Sequence, residues 1–451
     1  MNNIEFTKLL LDNLHTYIYI LIPTLIIYSL LLKKYIHGIT DPMFFCCIGA
    51  AFAGVVPFFL YVTNLCNLKM LLYYIFAEIA FWMGFALNYN KRIHFNNYTI
   101  KKENTISFYL YISFFIIFVL LKLLNFKYLG IPLFMGNRLE ATINAGGLAI
   151  LNKIADPLQF YCNVYSYYLF SKKKTLSITC LILIFLFSFL SGSKSFILTF
   201  VFAYFTYSFF FKNKVPIIPK KIIICIFLTP IFTLLVSGMN GDLAQAVGNY
   251  LFRIVAYGDI YWYSLPDNVI ENIPIESSFK HLFSGILGPL RIMSYDDNAI
   301  PLGTKLYWYT MPIELYGTNG GPNSRPVILG FWLYKYAGII FCYISGLCMS
   351  GIMTKLPKFL PEGIISAIFV GYFYNTITSM ATDPVLTINL VFTVILFAIT
   401  LFITYNLIFE RKITLIRLRK NRTYLTNTSL LLQIFYLIIF IIISTIFYIT
   451  D

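Results

Sequence analysis

Residues 384–408, PVLTINLVFTVILFAITLFITYNLI, run for 25 positions without a charged side chain. A helix rises about 1.5 Å per residue, so about 20 apolar residues cross the roughly 30 Å of bilayer hydrocarbon, and this stretch predicts a membrane-spanning helix. Comparable runs fall at about 14–32, 43–63, 69–89, 105–124, 157–171, 175–191, 195–211, 219–238, 327–349, 362–381 and 429–449, which makes twelve spans. Hydrocarbon holds no water for unpaired backbone groups, so only helices and closed barrels span it, and runs of this length mean helices. The chain has 451 residues, of which 59% are hydrophobic and 12% charged, and a mean hydropathy of +0.76. Soluble domains carry about 25% charge. The chain therefore reads as an all-α polytopic membrane protein, one integral membrane domain over 1–451 with about 12 transmembrane helices and a long external loop. No internal repeat is visible, so the inverted symmetry of many transporters has no support.

The net charge of +15 does not signal nucleic acid, because the basic residues form no patch with interleaved aromatics on a soluble domain. They mark the cytoplasmic side. Alternating the loops places 21 Lys/Arg inside and 12 outside, five of the latter in one long loop that does not report orientation, and both termini then lie outside. The fifth span is short and holds Gln159 and Asn163, but deleting it would move Lys172–Lys174 and the 212–221 cluster outside. Seven of eight cysteines fall in or at the edge of spans and Cys66 lies in an outer turn, so neither a disulfide framework nor a CxxC motif follows. The first apolar run lacks a basic leader and a cleavage site, and is expected to be a retained span. Segment 410–428, with six basic residues and one acidic, reads as an anchor on anionic headgroups or a docking site for a partner protein.

Two outer segments exceed what a connector needs. The first is 125–156. The second, 239–326, breaks the apolar pattern with Arg253, Lys280, Arg291, Lys305 and Arg325 and with Asp242, Asp259, Asp267, Glu271, Glu276, Asp296, Asp297 and Glu314. Its stretches 243–263 (LAQAVGNYLFRIVAYGDIYWY) and 302–316 are amphipathic and are expected to lie along the membrane surface with Tyr and Trp at headgroup depth. Tyr257, Tyr261, Trp262, Tyr263, Tyr307, Trp308 and Tyr309 suit either interfacial anchoring or stacking on sugars.

Five outer cations stand near Gly-rich or aromatic sequence: Arg138 in GNRLEA, Lys194 in SGSKS, Arg253 in YLFRIVAYGD, Arg291 in GPLRIMSYDD and Arg325 in GGPNSRP. Guanidinium forks bind phosphate oxygens bidentately and Lys binds them as a point charge, so a pyrophosphate would account for the set. The competing account is snorkelling or ion pairing near helix ends. Lys194 sits beside the Ser195 end of a helix, where backbone N–H groups attract anions. Candidates for activating a hydroxyl are His281, Asp296, Asp297 and Glu314, with a solvated turn as the alternative for the Asp pair. Glu78 is the one acidic residue in mid-span, either functional or bonded to a neighbouring Tyr or Ser. No Walker loop, dinucleotide fingerprint, HExxH or GxSxG occurs, so ATP-driven transport and soluble-type hydrolysis have no support.

GNRLEA in the first outer segment, the SGSKS turn, the large late outer loop and GGPNSRPVILGFW entering the next span together resemble the O-antigen polymerase (Wzy) family of bacterial envelope proteins. The resemblance implies a glycosyltransferase of the bacterial inner membrane, related in fold to O-antigen ligases and GT-C enzymes, that joins undecaprenyl-pyrophosphate-linked oligosaccharide repeat units at the periplasmic face. It implies no cofactor, no required metal and no nucleotide-sugar site. Membrane lipids and a chain-length regulator protein are the partners it brings. Carried over by position, the pyrophosphate role falls on Arg138, Lys194, Arg291 and Arg325, with Lys194 replacing the usual Arg and losing its fork. The main rival is a flippase for lipid-linked oligosaccharides, which predicts charged residues inside spans and short outer loops. A GT-C transferase with an acidic first outer loop and an envelope scaffold are the others.

Overall fold

The computed structural model describes residues 1–89, 103–135, 149–193, 196–216, 224, 228–229, 231, 243–275, 277–288, 290, 292–293, 300–311, 321–409, 412–419 and 422–427. Spans expected at 219–238 and 429–449 lie almost wholly outside them.

The described residues are helical apart from one antiparallel hairpin, β1 (Lys412–Arg419) with β2 (Arg422–Asn427), in the basic segment. The helices in order are α1 (Asn3–Asp12), α2 (Leu14–Leu32), α3 (Pro42–Val62), α4 (Leu68–Asn88), α5 (Glu103–Leu129), α6 (Ala149–Leu169), α7 (Lys174–Leu190) and α8 (Phe196–Thr206, extended by a wider turn through Phe211). After them come α9 (Leu243–Val255), α10 (Asp259–Ser264), α11 (Val269–Asn272), α12 (Ser278–Leu287), α13 (Leu302–Thr310), α14 (Pro326–Tyr334), α15 (Gly338–Phe359), α16 (Ile364–Thr378) and α17 (Pro384–Phe409).

Among the described residues seven helical stretches are long and apolar enough to cross a membrane: Leu14–Tyr35, Pro42–Val62, Leu68–Asn88, Ser107–Phe134, Pro326–Phe359, Ile364–Ala381 and Pro384–Leu401. Two shorter apolar helices cover Lys174–Leu190 and Phe196–Phe211. Lipid-facing stripes accompany them. On α4, Leu72, Phe76, Ile79, Met83 and Leu87 recur every three or four residues and are all exposed. An aqueous protein does not leave such a stripe bare. The chain is a multi-pass membrane protein.

The helices sort into two packed sets. One core joins α1–α4, the stretch Ile260–Ile273, α14 and α15, and the other joins α5–α7 and α17, with α8 and α16 contributing to both. In lipid, helices associate through close packing and polar clasps because the tails are as apolar as the side chains. The first set uses close packing. α4 and α15 run parallel, with Tyr73 beside Gly338, Phe81 beside Gly346 and Asn88 accepting a bond from Thr354 Oγ1 at 3.1 Å. A Cβ on Gly346 would overlap the Phe81 carbonyl, and one on Gly84 the Tyr343 carbonyl. The second set uses clasps: Tyr111 to Ser166 at 3.0 Å, Ser107 to Tyr165 at 3.1 Å, and Gln159 Nε2 to Ser188 Oγ at 2.8 Å.

The expected ninth span, 327–349, is not one straight helix. Lys335 (φ 51°) stops α14 and reverses the chain, so α14 and α15 form a hairpin in which Cys342 Sγ reaches the Pro326 carbonyl at 3.3 Å. Gly330 and Gly338 allow this, since a Cβ on Gly338 would overlap the Gly330 carbonyl. At 1.5 Å per residue the nine residues of α14 cover only about 14 Å, about half a bilayer core, while α15 supplies the crossing.

At one end of the bundle, called lower here, Asp41 caps α3 by accepting from Met43 N at 2.8 Å. It also accepts from His37 N and the His37 ring, both at 2.9 Å, and from Tyr374 Oη at 3.1 Å. This buried junction ties α16 to α3. The upper end carries the α3–α4 turn.

Candidate active site

Part of the long segment packs into the helix bundle. α9 descends to Tyr257, whose ring packs on Gly49 near the middle of α3, and α10 climbs back along α3. Gly258 permits the approach, because a Cβ there would stand 2.6 Å from Val56 Cγ2 and 3.0 Å from the Ala53 backbone. The expectation that 243–263 lies flat with its aromatics at headgroup depth is therefore corrected at α10. Tyr261, Trp262 and Tyr263 are buried in the first core, Trp262 stacking on Phe6 at 3.9 Å and donating from Nε1 to Asn3 Oδ1 at 3.2 Å. Alternating polar and apolar positions look amphipathic in sequence, but here Trp262 spends its indole N–H on a partner within the protein. Tyr257 and Tyr309 remain exposed, and Tyr307 and Trp308 are half-buried.

Arg325 is the hub. It is 4% exposed, and its guanidinium donates from Nε to the Tyr257 carbonyl at 2.9 Å, from one terminal nitrogen to the Gly49 carbonyl at 3.0 Å and from the other to the Ala381 carbonyl at 3.4 Å. One fork thus joins the long segment, α3 and the α16–α17 turn. Pro326 at the first position of α14 fixes the chain just beyond, and Ser324 N donates to Asp383 Oδ2 at 3.1 Å. Asp383 also caps α17 through Leu386 N at 3.0 Å. Burial raises the Asp383 carboxyl above its ordinary range, against the backbone N–H groups that favour its charged form.

Beside this hub lies Asp259, with Oδ1 accepting from Ile260 N at 2.9 Å. It keeps intermediate exposure. Burial lifts its carboxyl from 3.8 to about 7, opposed by the Ile260 N–H and then by the charges of Arg325 and Arg253. Arg253, on α9, is exposed. A carboxyl raised to about 7, with two guanidiniums in electrostatic reach, is equipped to take a proton.

Of the residues singled out in the sequence, Arg253 and Arg325 lie within electrostatic reach of Asp259, without an ion pair to it. His281 is 1% exposed in a different place, edge-on to the Trp332 indole at 4.8 Å, on a helix capped by Ser277. Glu78 accepts from Tyr28 Oη at 2.7 Å and Trp82 Nε1 at 2.8 Å, which is the neighbouring-tyrosine alternative. Arg138, Lys194, Arg291, Asp296, Asp297 and Glu314 lie outside the described residues. Sequence reasoning gave no role to Asp259 or Asp383. The available signal for Asp259 was its place after Tyr257–Gly258, where a glycine lets the backbone meet a helix.

A second polar group gathers at the start of α6. Lys122 pairs with Asp156 at 3.4 Å, and Lys153 Nζ donates to Asn389 Oδ1 at 2.8 Å, its pKa lowered by burial. No protein-family model, curated protein or solved structure matches the chain.

Proposed function

We propose that this chain is a membrane glycosyltransferase of the O-antigen polymerase kind, acting on undecaprenyl-pyrophosphate-linked oligosaccharides at the outward, periplasmic face of a bacterial inner membrane. The observation that supports this reading best is Asp259, partly sheltered against α3 and raised to about 7, with Arg253 and Arg325 in electrostatic reach. In the reaction, the bond from the sugar's anomeric carbon to the carrier pyrophosphate breaks and a bond to the acceptor hydroxyl oxygen forms. The hydroxyl proton passes to the Asp259 carboxylate, and the bonding electrons leave with the pyrophosphate.

Charge builds on the departing oxygen, and a cation already in place lowers that barrier. Arg253 has free reach for this role. Arg325 has three donor directions committed to backbone carbonyls, so its part is positioning, with a through-space contribution to the charge. Arg138, Lys194 and Arg291 are proposed as further cations around the leaving group, and His281, Asp296, Asp297 and Glu314 as alternative proton acceptors. A chain-length regulator is the proposed protein partner.

The test is chain extension in vitro. Purified protein in proteoliposomes, supplied with a synthetic pyrophosphate-linked repeat unit, is expected to yield a ladder of oligomers, and Asp259→Asn is expected to yield none. Movement of the lipid-linked unit across the bilayer without extension would establish the flippase reading instead.

A further inference from the structure

We propose that the hollow between the α3–α4 turn and the bend at Leu265–Asn268 is a carbohydrate subsite that takes a neutral pyranose. The proposal rests on the glycosyltransferase reading for the source of that sugar, a lipid-linked oligosaccharide. The hollow is an open one of about 500 Å³, lined by Tyr61, Asn64, Asn67, Leu265, Asp267 and Asn268 among others. That volume lies within the range of about 300–1,000 Å³ usual for small-molecule sites.

Its polar groups are arranged for hydroxyls. Asn67 is committed, with Oδ1 capping α4 through Met70 N at 2.8 Å and Nδ2 donating to Asn268 Oδ1 at 3.0 Å. That bond fixes the Asn268 amide with its NH2 group uncommitted among the described residues, as is the Asn64 amide, while the Asp267 carboxylate lies within electrostatic reach of the Met1 ammonium and makes no hydrogen bond among the described residues. Two amide donors and one carboxylate acceptor match vicinal hydroxyls, each of which both donates and accepts. An inorganic anion would call for cations, and a divalent metal for more than the single carboxylate that lines the hollow. Tyr61, 38% exposed, offers a ring face for the C–H side of a pyranose.

The backbone here is held in an unusual state. Among the described residues five non-glycine positions have positive φ, and three of them line this hollow: Asn64 at 60°, Asp267 at 53° and Asn268 at 53°. Asn and Asp tolerate the left-handed region better than other residues, yet such positions concentrate where a ligand is clamped.

Saturation-transfer NMR on the full-length protein in detergent, with methyl glycosides of neutral hexoses and N-acetylhexosamines as probes, tests the subsite directly. At least one glycoside is expected to receive magnetisation, and Asn268→Gly and Asp267→Asn are each expected to weaken its binding tenfold or more. Glycine accepts φ 53° without strain, so Asn268→Gly removes the amide and keeps the bend. No transfer to any glycoside, or transfer unchanged in both variants, overturns the proposal. The probes carry no pyrophosphate and need no turnover. Glycoside binding lost in these variants, in a protein that never extends chains, would refute the enzyme and leave the subsite.

Discussion

Replacing Asp259 by Asn separates the energetic cost of its carboxyl from its chemical use. The folded protein holds this group at about 7 against an ordinary 3.8, about 3 units, and at about 1.36 kcal/mol per unit the difference is about 4 kcal/mol. Partial exposure makes that an upper bound. Between pH 3.8 and 7 the folded state binds more protons than the unfolded state, so stability is expected to fall as pH rises through that window. Asn mimics the protonated form, so the variant loses this slope and exceeds the wild type above pH 7 by up to about 4 kcal/mol. Thermal unfolding in detergent at pH 5, 6, 7 and 8 reads both effects, with the buried Trp262 close by as a fluorescent reporter. Chain extension by the wild type is expected to rise from pH 6 to 8 as the base ionises, and to vanish in the variant. A wild-type midpoint that stays flat from pH 5 to 8, or a variant that melts below the wild type at pH 8, would refute the buried, uprated carboxyl. Full extension by the variant would remove its role as base.

Arg325→Ala deletes three charge-assisted bonds worth about 1.5–3 kcal/mol each before the relief of a buried charge is counted, and a net loss of about 3–5 kcal/mol is expected. Folded protein measured by fluorescence size-exclusion should fall, with little recovery in Arg325→Lys because an ammonium cannot form the fork; undiminished folded protein with extension abolished would show that Arg325 acts on the ligand. Gly346→Ala forces α4 and α15 apart and is expected to cost about 1–3 kcal/mol, read as a lower midpoint. Lys335→Gly relieves φ 51° and is expected to raise the midpoint, because backbone strain of about 1–3 kcal/mol outweighs an entropy cost of about 0.5–1 kcal/mol for glycine, and a lower one would mean that the α14–α15 turn is not left-handed there.

The membrane helices were legible because hydrocarbon imposes one length and one composition, as in Pro42–Val62 and Pro384–Leu401. The hairpin at Lys335 was not. Apolarity is the same on either side of a reversal, and only the Gly330 and Gly338 pair hinted that two backbones meet. The long segment stood out for its charge and aromatics, but Tyr261, Trp262 and Tyr263 pair their polar atoms or bury their rings through contacts with Phe6, Asn3 and Tyr74, far away in sequence. Arg325 drew notice as a cation at a boundary. Its use depends on three carbonyls from Gly49, Tyr257 and Ala381, and carbonyls leave no mark in sequence. Asp259 was hidden for a related reason, since a carboxyl's pKa is set by what surrounds it.

The glycine seam between α4 and α15 also sets a schedule. Gly84 and Gly346 are about 260 residues apart in the chain. At a synthesis rate of about 5–20 residues per second, α4 waits roughly 13 to 50 s for the helix it fits. During that interval its groove faces lipid or a temporary neighbour, and the first helix set cannot close until most of the chain has been made. A slow ribosome, or a chaperone of the insertion machinery that shields Gly84, would act on the same interval.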